Sequence, residues 1–140
     1  MIGEFLQNSW LAMLLTAAAA YLLGSLNSAI IVTKITAKED IRSYGSGNAG
    51  ATNVLRSQGK LPALLTTAGD LLKSIIAVLI GGWLLQDLNL VYTGLESYRV
   101  SPIGAELVGR YLAGFFCIIG HLFPLYFGFR GGKGVLTTLG

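Results

Sequence analysis

Two glycine-rich stretches hold most of the residues in this chain that could do chemistry. The first reads Gly45-Ser46-Gly47-Asn48-Ala49-Gly50-Ala51-Thr52-Asn53, followed by Arg56. The second follows Gly120-His121 and Phe123-Pro124 and comprises Gly131, Gly132, Lys133, Gly134 and Thr137. Glycine lets backbone N–H groups converge on one point. Such a nest beside a lysine is a place for a phosphate. In the first stretch Ser46, Asn48, Thr52 and Asn53 add hydroxyls and amides, and Arg56 adds a planar fork for phosphate oxygens. A short helix over 51–56 would put Thr52 and Arg56 on one face. The bland reading of the first stretch is a solvated turn with helix-capping Ser and Asn; that of the second is a flexible loop with a membrane-orienting lysine.

Two familiar nucleotide motifs fail. Gly45, Gly47 and Gly50 fit a dinucleotide-type pattern, but that fingerprint needs a preceding strand and a βαβ unit. The second stretch is no ATP-binding P-loop: Phe127 stands where the first glycine belongs, and Gly134 where Ser or Thr should follow the lysine.

Three ionisable residues fall inside apolar runs. Asp70 and Lys73 are three apart on one helix face, where charge is expensive and tends to mark function; a self-neutralising structural pair is the alternative. His121 precedes Pro124, which removes a helical hydrogen bond. It either bonds a freed carbonyl, or orients a substrate or moves a proton. One histidine and one cysteine, Cys117, give no zinc site and no disulfide; Cys117 is read as a buried spectator. No metal or cofactor is expected, and a net charge of +3 is too small and dispersed for nucleic acid.

Positioning these residues falls to membrane helices. Of 140 residues, 53% are hydrophobic and only 12% charged, against about 25% charged in soluble domains. Three segments can cross a ~30 Å hydrocarbon core: about 10–32, 61–85 and 107–129. The fold class is therefore an all-α, polytopic membrane bundle, with residues 1–140 as one membrane domain and cytoplasmic glycine-rich loops. Lys34, Lys38, Arg42, Arg56 and Lys60 lie between the first two spans, and Arg130 and Lys133 follow the third. The positive-inside rule puts both stretches in the cytoplasm and the N-terminus outside. Ala20, Gly24 and Ser28, at four-residue spacing, read as a helix-packing stripe; the alternative for this span is that Ser25 and Asn27 line a polar pocket. Glu106 and Arg110, four apart, read as a structural pair. The 86–102 connection is long and polar for an external loop.

These motifs, in this order and with Tyr21-Leu22-Leu23-Gly24-Ser25 before them, resemble the bacterial acyl-phosphate-dependent glycerol-3-phosphate acyltransferases, the PlsY family. The resemblance covers about 21–140. It implies an enzyme of the bacterial cytoplasmic membrane that moves a fatty acyl group from acyl phosphate to glycerol 3-phosphate, giving lysophosphatidic acid and phosphate. It makes Ser46 and Arg56 essential, with Asn48 and His121 beside them as catalytic candidates. Thr52, Asn53, Asp70, Lys73, Gly131, Gly132, Lys133, Gly134 and Thr137 are candidates for substrate and phosphate binding. An acyl phosphate is already activated, so alignment and charge stabilisation suffice. Arg56, Lys133 and Lys73 would hold phosphates, and Ser46 and Asn48 the reacting carbonyl or hydroxyl. The family continues past this point with further spans and a third motif holding His and Asn. The expectation is that the 140-residue chain alone keeps phosphate contacts without acyl transfer. The rival from another class is a non-catalytic membrane subunit or transporter fragment that binds a phosphorylated solute.

Overall fold

The computed structural model describes the backbone of residues 2–93 and 102–140, and the side chains of 9–87 and 104–140. Five α-helices occur among these residues: α1 (Ile2–Gly24), α2 (Ser28–Thr36), α3 (Ala51–Gln58), α4 (Lys60–Thr93) and α5 (Pro102–Leu122). Three stretches are long and apolar enough to cross a membrane: Ser9–Thr36, Lys60–Asp87 and Gly104–Phe127. The polar connection expected over 86–102 is in part helix, since α4 runs to Thr93; Glu96 and Arg99 lie outside the described residues.

Two of the expected spans differ in form. The first is broken at residues 25–27 and resumes as α2. Asn27 caps α2, its Oδ1 accepting from Ile30 N at 3.1 Å, so the break is a designed helix start rather than a defect. The third span stops being α-helical at Leu122, where a kinked helix running on to 129 was expected. Pro124 cannot continue the ladder, and a 3-10 turn over Leu125–Phe127 follows.

α1, α4 and α5 pack against one another, and small residues make the approach possible. A Cβ on Gly24 would collide with Cys117 O of α5, one on Gly120 with Tyr21 O of α1. Ala20, Ala77, Ala113 and Cys117 fill the centre of this crossing. In lipid the attraction between helices is packing itself, so close backbone approach is what holds such a bundle. The expected stripe is thus split: Ala20 and Gly24 face α5, whereas Ser28 opens α2 and meets Gly69 of α4. A second cluster, Ala29, Ile30, Ile41, Ala49, Val54 and Ala63, binds α2, the first glycine stretch and α3 onto α4. At the far end Arg110 and Glu106 form the expected pair.

Candidate active site

The first glycine stretch is folded by one amide. Asn53, on the first turn of α3, is 3% exposed. Its Nδ2 donates to Tyr44 O (2.9 Å), Asn48 O (3.1 Å) and Ile41 O (3.3 Å), and its Oδ1 accepts from Ser46 N (3.2 Å). A buried amide so fully committed organises the loop. Asn53 therefore holds the loop together, and it also forms part of the cavity wall. Gly45 is required here: its φ is +54°, and a Cβ would strike Asn53 Oδ1. With the loop so anchored, Ser46, Asn48, Thr52 and Arg56 line one cavity.

The capping reading of this stretch fails. The N-cap of α3 is Gly50, with no side-chain cap. The N–H groups of Ala51 and Thr52 have no acceptor among the described residues, and orphan donors at a helix start favour an anion.

The second glycine stretch divides its labour in a way spacing does not reveal. Gly131 N donates to Leu122 O (3.1 Å) and Gly132 N to His121 O (3.3 Å). The α5 carbonyls freed by Pro124 need donors in apolar surroundings, and these two N–H groups supply them. The phosphate nest expected at Gly131 and Gly132 is corrected accordingly. The N–H groups of Lys133, Gly134, Val135, Leu136 and Thr137 have no acceptor among the described residues, and the first four of these residues are in the cavity wall. Gly132 instead brings the two stretches together: a Cβ there would strike Ala49 O of the first stretch and His121 Nε2. Thr137 is buried, lies outside the cavity wall, and its Oγ1 has no partner among the described residues.

Behind the cavity lies a buried polar knot. Lys73 Nζ sits 2.8 Å from Leu26 O, 2.8 Å from His121 Nδ1 and 2.9 Å from Asp70 Oδ1. The carboxylate is an ion-pair partner off the line of an oriented hydrogen bond, so Oδ1 is compensated by charge alone. Lys73 is thus committed inside the bundle and does not line the cavity. The expectation that it holds a phosphate is corrected: the helix break exposes Leu26 O, and the ammonium is needed there. His121 likewise bonds no freed carbonyl with its ring; it turns to Lys73 and the cavity.

Residues 25–27 tie these parts together, and they cap rather than line a pocket. Ser25 Oγ donates to Tyr21 O (2.8 Å) and accepts from Leu125 N (3.2 Å). Leu26 O takes Lys73. Asn27 Nδ2 reaches Ala49 O at 3.4 Å.

Arg42, which had served only as a topology charge, is the other strut. Its Nη1 donates to Phe127 O (2.7 Å) and Arg130 O (3.1 Å), joining the two stretches, while Asp40 holds its remaining edge. The Arg42 side chain keeps the Asp40 carboxyl below its ordinary 3.8, and Asp40 raises the guanidinium in turn. Asp40's contribution to stability is therefore present above pH 3.8 and is lost as pH falls through its lowered folded value. Arg42→Gln should speed amide exchange over 128–132 at least about tenfold, or ~1.4 kcal/mol, near the low end for a charged hydrogen bond. Unchanged exchange would show that the turn holds itself.

The cavity is about 590 Å³ and draws together Ser46, Asn48, Thr52, Asn53, Arg56, Asp70, His121, Lys133 and Gly134. That volume suits a small-molecule site. Lys73, Gly131, Gly132 and Thr137 support it from outside its wall.

Residues 14–140 match the family model described as glycerol-3-phosphate acyltransferase. A glycerol-3-phosphate acyltransferase of Pseudomonas fluorescens is 46% identical over 126 residues, covering 90% of this chain and 57% of the relative. One from Thermoanaerobacter pseudethanolicus is 45% identical, covering 90% and 54%. The chain thus spans about half the length of the curated relatives it matches. The crystal structure of PlsY, an integral membrane glycerol 3-phosphate acyltransferase, in its glycerol 3-phosphate form aligns with a TM-score of 0.68 and 36% identity, over 91% of this chain and 55% of that one. Its lysophosphatidic acid form gives 0.64 and 35%. With 127 of its 140 residues inside the family model, this chain belongs to the glycerol-3-phosphate acyltransferase family of integral membrane proteins.

Proposed function

We propose that this chain carries the phosphate-handling half of an enzyme that transfers a fatty acyl group from acyl phosphate to glycerol 3-phosphate. One observation carries the reading. Two sets of unpaired N–H groups, at the start of α3 and over 133–136, meet two cations, Arg56 and Lys133, around one cavity at the end of an apolar bundle. In the reaction a glycerol 3-phosphate hydroxyl oxygen attacks the acyl carbonyl carbon. The bond from that carbon to the phosphate oxygen breaks, inorganic phosphate leaves, and the hydroxyl proton is lost. Arg56 and Lys133, with the free N–H groups, hold phosphoryl oxygens; Thr52 shares the Arg56 face. Ser46 and Asn48 hydrogen-bond the reacting carbonyl or hydroxyl, and the Asp70 carboxylate offers an acceptor from the cavity floor. Such preorganised donors stabilise developing charge without reorganisation.

The test is conversion of radiolabelled glycerol 3-phosphate to lysophosphatidic acid, with this chain joined to the C-terminal half of the Pseudomonas fluorescens relative. Turnover is expected. Arg56→Lys should lose at least about tenfold, or roughly 1.4 kcal/mol, because lysine cannot reproduce bidentate contact. Phosphate binding without turnover would favour a solute-binding subunit instead.

The same reading sets the protein in the bacterial cytoplasmic membrane, with both glycine stretches in the cytoplasm and the N-terminus outside. The cations flanking one shared cavity support it. Cysteines introduced at Ser43 and Gln86 report on it, since Cys117 is buried. An impermeant thiol reagent on intact cells should label only Gln86→Cys; labelling of Ser43→Cys would reverse the orientation.

A further inference from the structure

Lys73 and His121 meet at 2.8 Å, and only one of the two nitrogens can supply the proton between them. The surroundings decide which. Lys73 Nζ also faces a carbonyl, Leu26 O at 2.8 Å, and a carboxylate, Asp70 Oδ1 at 2.9 Å. Both require a donor, and a buried carboxylate requires a positive neighbour. An ammonium offers three donors and no acceptor, matching the three groups around Lys73 Nζ, whereas a neutral imidazole nitrogen can accept. The charge therefore sits on Lys73, and His121 Nδ1 accepts. A neutral imidazole that accepts at Nδ1 carries its proton on Nε2. Nε2 points away from the knot: it faces Gly132 and has no partner among the described residues, while the ring lines the cavity. The charged groups facing the ring are Asp70 and Lys73 from α4; the helix break presents a carbonyl, and the glycine turn adds Lys133 to the same cavity.

We propose that Lys73 is a positioning residue that locks His121 as the Nε2–H tautomer, so that His121 enters the cavity as a fixed hydrogen-bond donor. This deepens the acyltransferase reading, on which it rests for the identity of the acceptor: an oxygen of the phosphoryl group or of the reacting carbonyl. It also excludes His121 as the group that takes the hydroxyl proton, because its only free nitrogen is already protonated. The sequence left substrate orientation and proton movement open for this residue; the geometry selects orientation.

His121 is the sole histidine of the chain, so nitrogen NMR of the 140-residue protein, labelled at histidine nitrogens and held in detergent, needs no assignment. The expected spectrum has a pyridine-type Nδ1 and a pyrrole-type Nε2. Lys73→Met should move both toward the tautomer-averaged position, and Lys73→Arg should restore the split. A pyrrole-type Nδ1, or two protonated nitrogens, in the unmodified protein would overturn the proposal even if Lys73→Met fails to fold. Glycerol 3-phosphate should then shift the Nε2 proton with Nδ1 unmoved. An Nε2 proton that stays still, while a second sample labelled at lysine nitrogens shows the Lys133 amide moving with glycerol 3-phosphate, would remove the donor role. If no signal moves but the tautomer is as expected, the lock stands and the phosphate reading fails, so the two are told apart.

Discussion

Lys73→Met should destabilise the bundle by about 3–5 kcal/mol, the range for removing one partner of a buried pair. The cause is what remains behind. Asp70, 1% exposed, would be left with no cation beside Oδ1, and Leu26 O would lose its donor. The two effects separate in a double variant. Lys73→Met with Asp70→Leu removes the stranded carboxyl group but still orphans Leu26 O, at about 1–3 kcal/mol. Thermal unfolding in detergent should therefore rank the unmodified protein first, the double variant second and Lys73→Met last. A double variant no better than Lys73→Met alone would show that the carbonyl of the helix break, rather than the carboxylate, is what the lysine serves.

Gly132→Ala should cost about a hundredfold in acyl transfer, measured in the chain joined to its relative's C-terminal half. One methyl group has two obstacles, Ala49 O and His121 Nε2. Neither can retreat freely. Ala49 is buried and held from Asn27, and the His121 ring is held by Lys73. The turn must shift instead, carrying Lys133 and the free N–H groups with it, and an ångström of misplacement costs on that order. Both kcat and KM should suffer, because the same shift disturbs Ser46 and Asn48 through the loop segment at Ala49. A rise in KM alone would confine the damage to binding.

The bundle was readable from its sequence because long apolar runs and loop charges are local signals. So was the convergence of Ser46, Asn48, Thr52, Arg56 and Lys133 on one region, which follows once both stretches share an end. What escaped was the division between residues that line the cavity and those that build it. Asn53 looks like Asn48 in sequence; only the fold of the loop shows that Asn53, while lining the same cavity, commits its amide to four backbone groups. Lys73 and Lys133 are both lone lysines near glycines, yet one is consumed by a carbonyl 47 residues away. Arg42 touches carbonyls 85 and 88 positions on. The break at 25–27 had a weak signal, an Asn inside an apolar run two residues after Ser25. It is a helix start only because Ile30 N finds the Asn27 side chain.

That break also dictates an order of manufacture. A ribosome delivers the first span before Lys73 exists and well before Leu125. Until then Leu26 O lacks the Lys73 ammonium and Ser25 Oγ lacks the Leu125 N–H that it will accept from, and hydrocarbon offers no substitute. The nascent break must wait in contact with water or lipid head groups, and it becomes a dry junction only when α4 and then α5 dock. The cavity, walled by residues of α3, α4 and α5, is consequently complete only after α5 has docked.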